Sequence, residues 1–169
     1  MTVEVLSEDD RWTSAHENIA SVIEGRVFAY FQLDVAQFET AVLLTNDEAI
    51  RELNREFREK DKATDVLSWP AQNYVREVGE TPPLPVVSQG PFASELGDIA
   101  LGYETCLKDA GNNDFDAHIS HLILHGFLHL LGYDHEDDRD AVIMEAIEVE
   151  ILAKMNIPNP YLMIKEKDE

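Results

Sequence analysis

The chain has 169 residues, of which 44% are hydrophobic and 28% charged, a composition typical of one globular domain with its own core. The formal net charge of −21 disfavours nonspecific adhesion to nucleic acid or to anionic membranes, which attract basic surfaces. The single cysteine excludes an internal disulfide, no apolar stretch approaches the ~20 residues that span a bilayer, and MTVEVLSEDD shows no secretory signal. We therefore expect a cytoplasmic protein with one domain over residues 1–169.

The first half of the chain predicts two helices and two strands. Residues 11–32 have apolar side chains at helical spacing, and residues 38–45 are rich in β-branched and apolar side chains, which favours a strand. A helix over 46–57 follows, and then a strand over 64–70 that Pro70 ends. The side chains expected to face inward are Ile19, Val22, Ile23, Val27 and Tyr30 in the first helix and Ile50, Leu53 and Phe57 in the second.

The second half begins with a proline-rich segment. Residues 71–94 hold four of the seven prolines and show no periodicity, which predicts a long surface loop. A strand over 96–102 and a short helix near 103–110 follow. A helix then runs from Asn113 or Asp114 to about Leu131, and an acidic helix runs over 136–155 with Val142, Ile143, Ile147 and Ile151 inward. The tail over 157–169 is expected to be frayed. Strands mixed with helices in this way predict an α+β fold, a small mixed β-sheet packed against several helices.

Four of the six histidines lie on one predicted helix: His118, His121, His125 and His129. At about 100° per residue they share one narrow face, so helical position alone does not select metal ligands. Gly132 can adopt a positive φ, end the helix and turn the chain, so that His135 meets the carboxyl-terminal end, where His125 and His129 lie nearest. Three imidazoles leave one coordination position open, the arrangement of a catalytic zinc site.

The other histidines have less specific interpretations. His118 and His121 are expected to be solvated, packed or supporting the site, and His16 is predicted to be exposed. Asp65 and Asp98 either accept a hydrogen bond from a ligating imidazole or cap turns.

The histidine spacing also matches the H-E-x-x-H-x-x-G-x-x-H pattern of metzincin proteases, except that Gly126 stands where their glutamate activates water. A Met-turn is not apparent, because Met144, Met155 and Met163 fall in the last helix or the tail. A metalloprotease or another zinc hydrolase is therefore the alternative enzyme class. Asp134 is expected to fix the turn or to cap the last helix.

Three blocks occur in a fixed order: LNREFREKDKATDVLSWP at 53–70, LGDIAL at 96–101 and HGFLHLLGYDH at 125–135. Together they resemble the YbeY-type endoribonucleases, metal-dependent enzymes that cut single-stranded RNA in bacterial ribosomal RNA maturation. Two features depart from the family pattern. Trp69 stands where phenylalanine is usual, and the 71–94 segment is longer than the family's compact loop.

The resemblance implies one Zn²⁺ with a water as fourth ligand and three protein ligands: His125, His129 and His135. It also implies a functional arginine at Arg58, and the chemistry agrees, because a guanidinium offers paired donors to the negative charge of a phosphodiester transition state. Arg55 and Lys62 are weaker candidates for phosphate contacts. The other interpretation of the basic residues between 51 and 62 is a solvated helix face with ion pairs.

The resemblance further implies a role in 16S rRNA 3′-end maturation and ribosome quality control. The expected partners are single-stranded RNA, such as an rRNA precursor, and the small ribosomal subunit or its proteins, with no membrane or DNA partner. The site should be an open groove with local positive potential. The nucleophile, water or a ribose hydroxyl, stays open. A ribosome-assembly factor with a mainly structural zinc, whose acidic surface docks basic proteins, is the non-enzymatic alternative.

Overall fold

A computed structural model describes residues 3–162. Its elements in chain order are β1 (Val3–Ser7), α1 (Ser14–Tyr30), β2 (Phe38–Thr45), α2 (Asp47–Arg58), β3 (Val66–Pro70), β4 (Ser94–Gly102), α3 (Tyr103–Ala110), α4 (Phe115–Leu130) and α5 (Asp138–Lys154). A short 3-10 turn over Val35–Gln37 precedes β2. The predicted α+β fold is confirmed. The tail predicted over 157–169 lies partly outside the described residues.

The four strands form one mixed sheet in the order β1-β2-β4-β3. β1 and β4 both run parallel to β2, while β3 lies antiparallel to β4 at the edge of the sheet. The sequence did not predict β1, because this strand has only five residues and none of them is fully buried. Parallel neighbours need long crossover connections, and α1 supplies the one between β1 and β2.

The two faces of the sheet are covered unequally. One face packs against α1 and α4, and its largest fully buried side chains are Phe28, Phe38, Ile99, Ile123 and Phe127. On the other face, α2 places Ile50 against Leu67 and Ala100 in a much smaller cluster. The main core therefore supports the histidine-bearing helix α4 from both the sheet and α1.

Three side chains predicted to face inward do not. Val22 is 38% exposed, Phe57 61% and Val142 69%. α2 covers the sheet with Ile50 and Leu53, so its last turn extends past the small cluster. The exposed Phe57 ring lies edge-on to Trp69, with ring centroids 6.2 Å apart. Helical periodicity overestimated the width of each buried stripe.

His16 is buried, so the prediction of an exposed side chain is wrong. It is 7% exposed, and its ring contacts the rings of Trp12 and Phe115. Its Nδ1 accepts a hydrogen bond from the backbone N–H of Thr13 at 2.9 Å, which caps the start of α1. His16 therefore has a structural role, distant in sequence from the other histidines.

The segment between β3 and β4 is a long loop, as predicted, without helix or strand from 71 to 93. The loop crosses the carboxyl-terminal end of α4. The Tyr74 hydroxyl donates to the Leu130 carbonyl at 2.7 Å, and Arg76 forms a 2.8 Å ion pair with the buried carboxylate of Asp140. Within the described part of the chain, every helix falls short of the length or hydropathy that crossing a bilayer requires.

Candidate metal centre

The end of α4 turns sharply at Gly132. Gly132 has a φ of +97°, and the N–H of Tyr133 donates back to the Leu128 carbonyl at 3.0 Å. This closes the helix with a left-handed residue, as the sequence predicted. A Cβ on Gly132 would lie 2.6 Å from Cγ of Tyr74, so glycine is required both by the backbone and by space.

The turn brings three histidines to one point: His125, His129 and His135. One ring nitrogen of each lies within 4.8 Å of the others. The Nε2 atoms of His125 and His129 are 3.0 Å apart, close to the ~3.3 Å that two nitrogens subtend on a tetrahedral zinc with ~2.05 Å bonds. The donor set is all imidazole, which suits zinc.

His129 is held ready for coordination by the turn itself. Its Nδ1–H donates to the Tyr133 carbonyl at 2.9 Å, which leaves Nε2 free for a metal. Burial, followed by repulsion from His125 and His135, lowers the pKa of His129 to about 4. The imidazole is therefore neutral at neutral pH, the form that binds a metal.

His125 is oriented by a residue that the sequence reasoning missed, Glu148 of α5. Oε2 of Glu148 lies 3.0 Å from Nδ1 of His125 and 3.0 Å from Nε2 of His121, and the Tyr161 hydroxyl donates to Oε1. The side chain of Glu148 is fully buried. Burial raises the pKa of Glu148, but the hydrogen bonds from His121 and His125 outweigh it, and the pKa falls below its usual value.

Asp65 and Asp98, the acceptors considered from the sequence, make other contacts. Asp65 lines the same cleft as the histidines, but its Oδ1 accepts from the N–H of Val66 at 2.7 Å at the start of β3, and Asp98 is exposed in β4 opposite Trp69. Among residues 3–162, neither of them hydrogen-bonds an imidazole. Glu148 did leave a sequence signal, because it falls on the buried stripe of α5 formed by Met144, Ile147 and Ile151.

The two remaining histidines of α4 differ in role. His121 hydrogen-bonds Glu148 and so belongs to the support of the site. Nε2 of His118 is buried and has no hydrogen-bond partner within the described residues, and burial lowers its pKa. His118 lies outside the cluster of three.

Arg58 ends α2 and turns towards the edge strand. Its Nη2 donates to the Ser68 carbonyl at 2.7 Å, and no carboxylate of the described chain forms an ion pair with it. Its basic neighbours are engaged instead. Arg55 pairs with Glu52 on the helix face, as the helix-face interpretation predicted, whereas Arg51 pairs with Asp61, which lies beyond the end of α2. Arg58 therefore keeps free donors beside its anchoring bond.

Arg58 and the three histidines line the same cleft, which has a volume of about 890 Å³ and lies between β3, the 71–93 loop and the end of α4. The cleft is also lined by five carboxylates: Asp65, Asp134, Glu136, Asp137 and Asp140. Its second arginine, Arg76, is already paired with Asp140. The expected positive potential is thus wrong for the protein alone, because carboxylates outnumber arginines in the cleft.

Gly126 has a packing role that explains the missing glutamate. A Cβ at this position would meet three side-chain atoms of Ile99 at 3.0–3.1 Å, because α4 lies close to β4 there. A longer side chain would have to displace Ile99.

Asp134 fixes the turn, as expected, since its Oδ1 accepts from the N–H of His135 at 2.7 Å, while Asp137 caps α5.

The cleft thus combines three imidazoles at one point with an arginine that has no ion pair among residues 3–162, a set of side chains suited to hydrolytic chemistry on a phosphodiester. The family model described as Endoribonuclease YbeY matches residues 5–156. The chain therefore belongs to the endoribonuclease YbeY family, whose name denotes enzymes that cut RNA.

Relatives agree with this membership, and a solved structure shares the fold. A protein named endoribonuclease YbeY from Ruegeria sp. (strain TM1040) is 45% identical over 168 residues, covering 96% of this chain and 98% of its own. One of the same name from Paracoccus denitrificans is 44% identical over 164 residues, covering 95% and 90%. A solution structure of a Thermotoga maritima protein shares the fold, with a TM-score of 0.53, 21% identity and 91% of each chain covered.

Proposed function

We propose that this chain is a zinc-dependent endoribonuclease that cuts single-stranded RNA. The observation that carries the proposal is that Arg58 and the cluster of His125, His129 and His135 line one cleft. An open zinc site and a guanidinium are together suited to a phosphodiester, whose transition state gathers negative charge on its oxygens. Family membership supports RNA as the substrate.

Each residue of the cleft has a defined task in this mechanism. His125 and His129 present Nε2 to the metal position because their Nδ1 atoms are engaged by Glu148 and the Tyr133 carbonyl. The chemistry that bound zinc supplies is Lewis acidity towards a phosphoryl oxygen or towards water. Arg58, anchored on Ser68, donates its remaining N–H groups to the nonbridging oxygens as their charge grows.

The charge of the cleft makes RNA binding depend on the metal. With five carboxylates against two arginines, the side chains alone repel phosphate. A divalent cation on the three histidines adds two positive charges where the scissile phosphate must lie. We therefore expect single-stranded RNA to bind the zinc-loaded protein much more tightly than the metal-free protein, which a filter-binding titration measures.

The test uses the full chain, with its metal content measured, and single-stranded RNA, duplex RNA and casein as substrates. Arg58→Ala should lower kcat/KM for single-stranded RNA by about 100-fold or more, and His129→Ala should abolish both zinc binding and cleavage. Arg51→Ala is the matched control, because Arg51 lies on the same helix, pairs with Asp61 and is outside the cleft; its activity should equal that of the wild type.

The alternatives give different results in the same assay. RNA cleavage by His129→Ala at the wild-type rate would refute the proposal and indicate a contaminating nuclease. Casein cleavage that His129→Ala abolishes would favour a metalloprotease, although Gly126 removes the usual proton shuttle. A zinc-loaded protein that cuts nothing but binds basic ribosomal proteins would favour an assembly factor with a structural zinc.

The cellular role belongs to the same proposal: a cytoplasmic enzyme acting on precursor 16S rRNA within the small ribosomal subunit. Family membership is what supports this role. Immature small subunits incubated with the wild-type protein should show a shortened 16S 3′ end by end mapping, and Arg58→Ala should leave that end unprocessed. Processing at an equal rate by the variant would contradict the assignment.

A further inference from the structure

Glu148 is a carboxylate inside the core, next to the histidine cluster. Its side chain has no exposed surface. It lies on α5, whereas the histidines lie on α4 and the turn that follows it. A carboxylate taken out of water costs several kcal/mol unless hydrogen bonds replace its hydration. Glu148 meets this requirement with three hydrogen-bond donors. The fold therefore keeps a buried carboxylate in contact with the candidate metal site.

The three donors come from two elements and lock the carboxylate on both oxygens. His125 and His121 approach Oε2 at 3.0 Å each, and the Tyr161 hydroxyl reaches Oε1. The Tyr161 hydroxyl also lies 3.3 Å from Nε2 of His121. This contact connects the last described turn of the chain to the same hydrogen-bond network. With both oxygens held, the carboxylate has little freedom to rotate away from His125.

The contact with His125 decides which ring nitrogen faces the cluster. A hydrogen bond to Glu148 through Nδ1 places the proton on Nδ1 and leaves the lone pair on Nε2, the atom that lies 3.0 Å from Nε2 of His129. The partner of a ligating imidazole sets its tautomer, orients its ring and raises its basicity. Tyr133 does the same for His129 with a backbone carbonyl, which no side-chain change removes.

From this geometry we propose that Glu148 is a positioning residue that holds His125 in the metal-binding tautomer, with His121 and Tyr161 fixing the carboxylate. The inference rests on the proposed metal site of His125, His129 and His135. A second arrangement of the same atoms is a separate metal site, since His121, His125 and Glu148 also place one ligand atom each within 4.8 Å. The stoichiometry of bound zinc separates the two.

The experiment measures zinc affinity by competition with a chromophoric chelator, using the full chain and zinc alone. Glu148→Met keeps the length of the side chain and removes both acceptors, and we expect it to weaken zinc binding by about 10–100-fold. Glu148→Gln keeps one acceptor and should weaken it less. Glu150→Gln, the same charge change two residues away at the exposed surface of α5, is the matched control and should bind as the wild type does.

A readout on the ring itself separates positioning from a merely structural role. Long-range ¹H–¹⁵N NMR spectra of the metal-free protein report which nitrogen of each histidine carries the proton. His125 should be protonated on Nδ1 in the wild type and in Glu150→Gln, and should become a mixture of tautomers in Glu148→Met. If Glu148→Met does not fold, as judged by circular dichroism, Glu148→Gln carries the same two measurements.

Three results would overturn the inference. One is a folded Glu148→Met protein, or a folded Glu148→Gln protein in its place, with zinc affinity within twofold of the wild type and an unchanged His125 tautomer. Another is two zinc ions per wild-type chain, one of them lost in His121→Ala, which would establish the second metal site. The third is wild-type zinc affinity in His129→Ala, which would refute the metal site on which the inference rests. If instead His129→Ala loses zinc and the Glu148 variants keep it, the metal site stands and only the positioning role of Glu148 is refuted.

Discussion

Replacing Gly132 with alanine tests the turn that brings His135 to the other two histidines. A non-glycine residue at a φ of +97° costs about 1–2 kcal/mol, because Cβ approaches the following carbonyl. The new Cβ would lie 2.6 Å from Cγ of Tyr74, an overpacking that costs about 1–3 kcal/mol more. The expected loss of unfolding free energy is therefore about 2–5 kcal/mol, or about 5–15 °C in Tm for a chain of this length.

A matched glycine isolates the backbone part of that cost. Gly111 ends α3 at a φ of +56°, and a Cβ there meets no atom within 4 Å. Because this φ is combined with a ψ of −122°, outside the regions that L-residues favour, Gly111→Ala should cost about 1–3 kcal/mol from the backbone alone. Urea unfolding of the metal-free proteins, followed by circular dichroism, measures both variants, and chelator competition measures zinc, which Gly132→Ala should bind more weakly because His135 shifts.

The steric part is tested by a double-mutant cycle with Tyr74. In the Tyr74→Ala background the approaches to Cγ and Cδ2 of the ring are removed and only the 2.9 Å approach to Cβ remains, so Gly132→Ala should cost less there than in the wild type. Tyr74→Ala itself loses the hydrogen bond to Leu130 and some packing, which the cycle subtracts. An equal cost of Gly132→Ala in both backgrounds would refute the clash, and an unchanged zinc affinity would refute the link between the turn and the metal site.

Three further changes address the rest of the chain. Gly25 lies exposed within α1 with open space around a Cβ, so Gly25→Ala should raise the unfolding free energy by up to about 1 kcal/mol, and any loss in urea unfolding would contradict this. The metal-free protein should lose stability as the pH falls from about 6.5 to about 4, because the unfolded chain protonates His129 before the folded chain does; His129→Gln should flatten that part of the profile, and an unchanged slope would exclude His129 as its source. Cys106 is fully buried and burial raises its pKa, so a thiol reagent should label it only after unfolding; rapid labelling of the native protein would show that the core opens.

The sequence was most informative where the relevant geometry is local. Helical spacing places His125 and His129 one turn apart on a face, and a glycine three residues before His135 allows the chain to turn back. In the structure Gly132 has a positive φ, and the three imidazoles lie together. Short-range patterns of this kind depend only on backbone geometry, so they survive without knowledge of the fold.

The sequence was least informative about what a side chain packs against. It placed His16 in solvent and Phe57 in the core, and the structure reverses both. It also expected a positive cleft, because single-stranded RNA was the expected substrate, whereas the cleft is lined by carboxylates that come mainly from the turn after α4 and from α5. Burial and local charge depend on which distant elements meet, and no periodicity records that.

The difference between what the sequence determines and what only the tertiary structure determines is clearest at Gly126 and Glu148. The sequence by itself identified the histidine set and the absence of a glutamate at position 126 from residue type and spacing, and it identified the candidate arginine through the family resemblance of the block that contains Arg58. Only the tertiary structure decided that Gly126 is small because α4 packs on Ile99, and that the carboxylate next to the site arrives from α5 as Glu148. The first set follows from the chain's local geometry, and the second depends on the approach of helices and strands far apart in sequence.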